Sequence, residues 1–148
     1  MTAFSLVIFT HNATFKAVGY NMRKVSSGEA ELLRKANFDA LACIENPNAN
    51  DFKNYLLAVT RSNRDLLRRQ FHATIGTTEK PISTKSLAEI AERWLWEMGY
   101  KKQPYLIFGH NDTPNAHVHI VSSRITSAGK PIPSKLDVRR GREAIARF

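Results

Sequence analysis

The stretch PYLIFGHNDTPNAHVHIVSSRI, residues 104–125, decides the fold because it predicts two strands and the turn that joins them. The strands are predicted at Pro104–His110 and Ala116–Ile125, where apolar β-branched and aromatic residues are frequent. Between them, NDTPN has the Asn, Asp and Pro content that is typical of a turn. The stretch therefore predicts an antiparallel hairpin.

Three of the five histidines of the chain lie in this hairpin. Successive strand residues point to opposite faces, so His117 and His119 share one face. On the same strand, Val118 and Ile120 point towards the core. His110 joins the two histidines if the register pairs it with either of them, whereas a one-residue slip would move it to the other face. In the favourable register, three imidazoles converge on the middle of a rigid sheet.

The remaining predicted elements alternate with turn signals along the chain. They are a strand at Ala3–Phe9, a helical or mixed segment at Ala13–Lys24, a short helix at Gly28–Lys35, a helix capped by Asp51, a strand at Arg69–Ile75, a helix with capping-box spacing from Ser86 to Glu89, and a basic helix at Leu136–Phe148. This order predicts one α+β domain over residues 1–148, with an antiparallel sheet and helices packed on one face. The other face is then left open for a ligand.

The chain is strongly basic, with 22 Lys and Arg against 13 Asp and Glu and a formal charge of +9. This excess indicates a polyanionic partner, nucleic acid first, although a solvated basic surface without a specific partner has the same composition. The single cysteine, Cys43, excludes an internal disulfide and a multi-thiolate zinc site, and is typical of a reducing cytosol. Neither a secretory signal nor a membrane-spanning apolar stretch is visible, so a cytoplasmic protein is expected.

The histidine cluster is the candidate metal site. Neutral imidazole is the commonest protein metal ligand, and three imidazoles that leave coordination positions open are typical of a catalytic site. Ligand softness allows Zn²⁺, Mn²⁺, Ni²⁺ or Cu²⁺, whereas Mg²⁺ prefers oxygen. Asp112 in the turn is expected to accept a ring N–H from one of the ligands, and an ordinary turn residue is the alternative.

Four motifs together resemble a known family. HNDTPNAHVHIVSSRI (110–125) is similar to the histidine motif of plasmid and conjugative-transposon relaxases, the mobilization nucleases of the HUH class. SLAEIAERWLWEMGYKKQPYLIFGH (86–110) resembles the segment that leads into this motif in relaxases of Bacteroides-type mobile elements. GYNMRKVSSGEAELL (19–33) resembles the Tyr-Asn stretch of the family, and RITSAGKPI (124–132) its later Arg-Gly-Lys turn. The resemblance covers nearly all of residues 4–147.

This resemblance implies a palm-like, ferredoxin-like HUH endonuclease core and assigns roles to individual residues. It places the catalytic nucleophile on Tyr20, the acidic catalytic position on Asp112, and the metal-binding triad on His110, His117 and His119. His72 matches a family histidine on the strand before the long helix, but the sequence that follows it, ATIGTTEK, differs from the usual Ser/Leu-Asn-Pro run. Nucleic-acid contacts are expected from Asn21, Arg23, Lys24, His72 and Arg124.

The implied activity is the nicking of one DNA strand at an origin of transfer in plasmid or transposon mobilization. The tyrosine oxygen attacks the scissile phosphate and leaves a free 3′-OH and a 5′-phosphotyrosyl enzyme. Mg²⁺ or Mn²⁺ is the implied cofactor, and single-stranded origin DNA is the implied partner, with accessory mobilization proteins and a coupling protein beside it. Family members are usually longer, so the chain is expected to be a minimal relaxase or a catalytic fragment.

Three other functional interpretations of the sequence compete with the relaxase. A rolling-circle replication initiator uses the same chemistry, but usually places its tyrosine after the histidines, whereas Tyr20 precedes them. A DNA-binding accessory protein with a non-catalytic metal site is not excluded by anything in the sequence. An unrelated tri-histidine hydrolase of small molecules fits less well, because the formal charge of +9 favours a polyanion.

Overall fold

The computed structural model describes residues 4–9, 13–61, 63, 69–77, 81–133 and 137–148. Within these residues, five strands and four helices follow one another. They are β1 (Phe4–Ile8), α1 (Lys16–Ser26), β2 (Ala30–Ala36), α2 (Ala49–Val59), β3 (Gln70–Thr77), α3 (Thr84–Glu97), β4 (Tyr105–His110), β5 (His117–Ser123) and α4 (Asp137–Ile145). Ala3 and Leu136, at the outer ends of two predicted segments, lie outside the described residues.

The strands form one antiparallel sheet in the order β1-β3-β5-β4-β2. Strands β4 and β5 form the predicted hairpin, and His110 is paired directly with His117. The predicted α+β class and antiparallel sheet are therefore confirmed. Because β5 lies between β3 and β4, and β4 between β5 and β2, both strands of the hairpin are hydrogen-bonded on both sides.

One core lies between the sheet and helices α3 and α4. Trp94 of α3 and Ile145 of α4 belong to the same buried cluster as Ile107 and Ile120 of the hairpin. The indole N–H of Trp94 donates a hydrogen bond to the carbonyl of Gly141 at 3.0 Å, which joins the two helices. This is the face on which the sequence predicts packed helices.

The opposite face is also partly covered by helices, which differs from the expectation of helices on one face only. Leu106 and Phe108 of β4 are buried there with Val18 of α1 and Phe52 of α2. The sequence indicates this burial on both faces in its unbroken apolar run YLIF at 105–108. A strand that is buried on both faces does not alternate between apolar and polar residues. Towards β1, Val7 and Phe9 on this face are 49% and 41% exposed.

One predicted helix is instead a strand. The segment Gly28–Lys35, expected to be helical, contains β2, which pairs with β4 through a register shift between Leu32 and Arg34. Its Glu, Leu and Lys residues favour a helix in isolation, but pairing with a buried strand outweighs that weak preference.

The predicted caps of two helices are each displaced by one turn. Helix α2 is capped by Asn48, and Asp51 is the third residue of that capping box. Helix α3 is capped by Ser83, whose hydroxyl accepts a hydrogen bond from the backbone N–H of Ser86 at 3.1 Å. The helical segments themselves, and the basic helix α4, are confirmed. Among the helices of the described ranges, none is long and apolar enough to span a membrane.

Candidate metal centre

Three histidines of the hairpin meet on the face that α1 and α2 partly cover. One ring nitrogen each from His110, His117 and His119 lies within 4.8 Å of the others. The ring centroids of His110 and His119 are 4.0 Å apart, and that of His117 lies 5.0 and 5.3 Å from them. Of the registers that the sequence left open, the structure therefore has one in which all three histidines share a face.

The buried rings of this cluster are in the protonation state that a cation needs. Burial lowers the pKa of His110 to about 4, with a smaller contribution from His117. Burial, followed by the neighbouring His110, lowers the pKa of His119 to about 2. Both rings are therefore neutral at pH 7 and offer lone pairs. Three imidazoles on a rigid sheet fit a divalent transition-metal ion with open positions better than they fit Mg²⁺.

Asn21 of α1 orients the first of these rings. Its side-chain N–H donates to the carbonyl of Ala17 at 2.8 Å, which fixes the amide so that its oxygen lies 2.6 Å from His110 Nε2. His110 Nε2 must then donate, which leaves Nδ1 with its lone pair. Asn21 is 0% exposed, so the structure places it behind His110 rather than on the surface that was expected to face DNA.

Asp112 takes a different position from the one expected. Its carboxylate forms an ion pair with Lys24 of α1, and its other oxygen lies 3.7 Å from His110 Nδ1, beyond hydrogen-bond length. The ring N–H acceptor that the sequence assigned to Asp112 is thus Asn21. The Lys24 ammonium holds the pKa of Asp112 below its usual range, and the carboxylate in turn raises the pKa of Lys24.

Tyr20 lies beside the histidine cluster and is exposed to solvent. Its side chain is 43% exposed, and its ring centroid is 6.3 Å from that of His119. Lys24, one turn further along α1, places its ammonium 5.2 Å from the centroid of the Tyr20 ring. Adjacent helix positions differ by about 100° in direction, which is why Tyr20 faces outwards while Asn21 is buried.

The three other tyrosines have structural surroundings. Tyr100 is buried in the core of α3, and burial raises its pKa. Tyr105 donates to the carboxylate of Glu92, and burial followed by this bond raises its pKa to about 12. Tyr55 packs against Phe38, with ring centroids 5.1 Å apart. Each of these three side chains is therefore accounted for by its packing or hydrogen bonding.

The remaining candidates divide between the site and the rest of the molecule. His72 of β3 lies against His119, with 2.9 Å between His72 Nε2 and His119 Nδ1. Arg23 is exposed on α1. Arg124 is only 6% exposed and donates to the carbonyl of Ile132 at 3.0 Å, so the structure does not bring it to the histidines. Its burial disagrees with the expected contact between Arg124 and DNA.

Comparison with known proteins identifies a family. The family model described as Relaxase: MobA/VirD2-like, nuclease domain, matches residues 20–148. Among curated proteins, none matches the chain. The matched range begins at Tyr20 and includes the whole histidine hairpin.

Proposed function

The chain belongs to the relaxase family, as a MobA/VirD2-like nuclease domain, and on that premise we propose that Tyr20 is its nucleophile. The proposed reaction is the nicking of one strand of DNA at an origin of transfer. The observation that supports it best is the position of Tyr20, which is exposed beside the histidine cluster and next to Lys24.

The proposed step exchanges one phosphodiester for another. The hydroxyl oxygen of Tyr20 attacks the scissile phosphorus, a bond forms between them, and the bond from phosphorus to the 3′-oxygen breaks. The proton that the phenol loses is balanced by the proton that the departing 3′-oxygen gains. The products are a free 3′-OH and a 5′-phosphotyrosine, and the reverse step reseals the strand.

His110, His117 and His119 would hold the divalent ion of this reaction. When bound, such an ion supplies Lewis-acid stabilisation to a phosphate oxygen. Mn²⁺ or Mg²⁺ is the ion that the sequence resemblance implies, whereas the all-nitrogen donor set favours Zn²⁺ or Ni²⁺. Asn21 would keep the ring of His110 in the orientation that binding requires.

Lys24 and Asp112 would act on the nucleophile. A neutral phenol is a weak nucleophile, and a nearby ammonium stabilises the negative charge that develops on its oxygen. Asp112 holds Lys24 in place through their ion pair. Because its pKa is lowered, Asp112 is a weaker proton acceptor than an ordinary carboxylate, which favours positioning over general-base catalysis.

Single-stranded origin DNA is the proposed partner, and the bacterial cytoplasm the proposed location. The formal charge of +9 supports the DNA partner, since basic side chains such as exposed Arg23 neutralise backbone phosphates. Accessory mobilization proteins and a coupling protein would assemble around the nicked strand.

The test is covalent capture of DNA. The protein is incubated with Mn²⁺ or Mg²⁺ and a pool of single-stranded oligonucleotides that includes random sequence, and adducts are separated on a denaturing gel. Wild type and a Tyr55→Phe control are expected to form an adduct, and Tyr20→Phe to form none. If Tyr20→Phe retains the adduct, the nucleophile assignment is wrong. If wild type binds DNA but forms no adduct on any strand, the nuclease proposal is wrong and the accessory-protein reading stands.

A further inference from the structure

A fourth histidine, His72, contacts the cluster without belonging to the group whose nitrogens converge. His72 Nε2 lies 2.9 Å from His119 Nδ1, and the two ring centroids are 5.1 Å apart. The three converging nitrogens come from the other three histidines. We propose that His72 is a positioning residue, which accepts a hydrogen bond from Nδ1–H of His119 and so leaves His119 Nε2 for the metal ion. This inference rests on the metal site of the proposed function.

The argument depends on how a neutral imidazole distributes its one proton. Each ring has one nitrogen that donates and one that accepts, so a bond between two rings needs complementary tautomers. If His72 donated, the Nδ1 lone pair of His119 would be used and its proton would lie on Nε2, which leaves no ligand atom. If His119 donates, its Nε2 lone pair is free. Only the second arrangement is compatible with His119 as a ligand.

The surroundings of His72 keep its ring in the required place. Strand β3 lies between β1 and β5, so its backbone is hydrogen-bonded on both sides. Phe9 stacks on the ring of His72, with centroids 4.3 Å apart and planes inclined by 14°. The backbone N–H of Phe9 donates to the carbonyl of His72 at 2.9 Å. The ring is therefore held between Phe9 and His119, which favours a fixed support over a mobile contact to DNA.

The same arrangement occurs at the first ligand. Asn21 accepts from His110 through an oxygen that its own bond to Ala17 has oriented. Two of the three candidate ligands thus have their second ring nitrogen bonded to a buried or half-buried polar side chain. Such partners fix the tautomer and orientation of a ligating histidine.

Metal affinity without DNA tests this role. Titration calorimetry of the full chain with Mn²⁺ compares wild type with His72→Ala, His72→Gln and a Val7→Ala control on the same open face. His72→Ala is expected to weaken binding by about 10–100-fold. His72→Gln, whose amide oxygen accepts a hydrogen bond, is expected to recover most of the affinity, and Val7→Ala to bind as wild type. Circular dichroism checks that each variant is folded.

Two results of the metal titration would overturn the inference. Wild-type affinity in a folded His72→Ala variant would show that the ring does not support His119. Failure of His72→Gln to improve on His72→Ala would show that hydrogen-bond acceptance is not what His72 contributes.

The tautomer itself gives an independent readout. Long-range ¹⁵N–¹H spectra of the histidine-labelled protein with diamagnetic Zn²⁺ are expected to show the proton of His119 on Nδ1, and a proton on Nε2 would contradict the inference. Neither measurement uses DNA. A failed adduct assay with the expected metal response would therefore refute the nuclease proposal alone, and normal adducts with no response to His72→Ala would refute only this inference.

Discussion

The β4–β5 hairpin and helix α1 contribute to the same candidate site but are held in different ways. His110 and His119 are almost fully buried, in strands that are hydrogen-bonded on both sides. Tyr20 and Lys24 lie one turn apart on α1 and retain contact with solvent. Groups that must keep fixed distances to one another thus lie on the sheet, whereas the groups proposed to meet DNA lie on an exposed helix surface. The site thus has two halves, the hairpin and α1, and substitutions of Tyr20 or Lys24 are expected to impair the reaction with DNA while leaving metal binding by the hairpin intact.

The largest expected effect comes from the helix. Tyr20→Phe removes only the hydroxyl, so the covalent adduct is expected to fall below detection while the affinity for Mn²⁺ stays at the wild-type value. A denaturing gel and titration calorimetry measure the two quantities. A large loss of metal affinity in this variant would contradict the separation of the two halves.

The second test removes one candidate metal ligand from the hairpin. His119→Ala is expected to lower the affinity for Mn²⁺ by at least about 100-fold and to remove the adduct as well. Wild type treated with a chelator is expected to behave in the same way and to recover when Mn²⁺ is added. Adduct formation by the chelated protein would exclude a metal-dependent step.

Lys24 tests whether the helix contributes charge beyond the nucleophile itself. Lys24→Met is expected to slow adduct formation by about 100-fold, because the ammonium beside Tyr20 no longer stabilises the developing phenolate. Single-turnover rates at saturating DNA measure this effect. Arg23→Met, which removes the same charge one residue earlier, is the matched control and is expected to weaken DNA binding while leaving that rate unchanged. Equal rates for both variants would refute the assignment.

Asn21 of α1 is hydrogen-bonded directly to His110 of the hairpin. Asn21→Ala leaves the buried ring N–H of His110 without its acceptor, so the free energy of unfolding is expected to fall by about 1–3 kcal/mol. Urea denaturation measures it. Asn54→Ala, at an exposed position on α2, is the control and is expected to change that free energy by less than about 0.5 kcal/mol. Equal effects of the two substitutions would show that this hydrogen bond contributes nothing to stability.

The buried histidines also predict how stability depends on pH in the metal-free protein. Their folded pKa values, about 4 for His72 and His110 and about 2 for His119, lie below the unfolded value of 6.5. Below about pH 6.5 the unfolded chain binds protons that the folded chain does not. The free energy of unfolding is therefore expected to decrease as the pH is lowered below about 6.5, by up to about 1.4 kcal/mol per pH unit for each ring. Urea midpoints between pH 7 and 4.5 measure this slope, which His72→Gln should reduce; a flat profile would contradict the burial argument.

The hairpin illustrates which part of the site was predictable. His110 and His117 are joined by a short turn, and the alternation of strand residues is a local geometric rule. Neither depends on the rest of the chain, so the sequence predicted the hairpin and the shared face of His117 and His119. The register that adds His110 was left open, and the structure has it. The exposed position of Tyr20 agrees with its family match and its polar neighbours, although nothing local to α1 determines what it faces.

Strand β2 illustrates the opposite case. Its residues favour a helix when only near neighbours are considered, and pairing with β4 decided otherwise. The same long-range burial placed helices on both faces of the sheet, since β4 is apolar on each side. Local propensity is a weak preference, and a buried neighbouring strand outweighs it.

The sequence by itself determined the basic charge, the histidine hairpin, the antiparallel α+β class and the resemblance to relaxases. Only the tertiary structure decided which side chains support the histidines. The contacts between Asn21 and His110 and between His72 and His119 join residues 89 and 47 positions apart. Asn21 and His72 were expected to face DNA, and Asp112 to hold a ring. A hydrogen bond over such separations depends on how helices and strands pack against one another, and no local pattern in the chain encodes that packing.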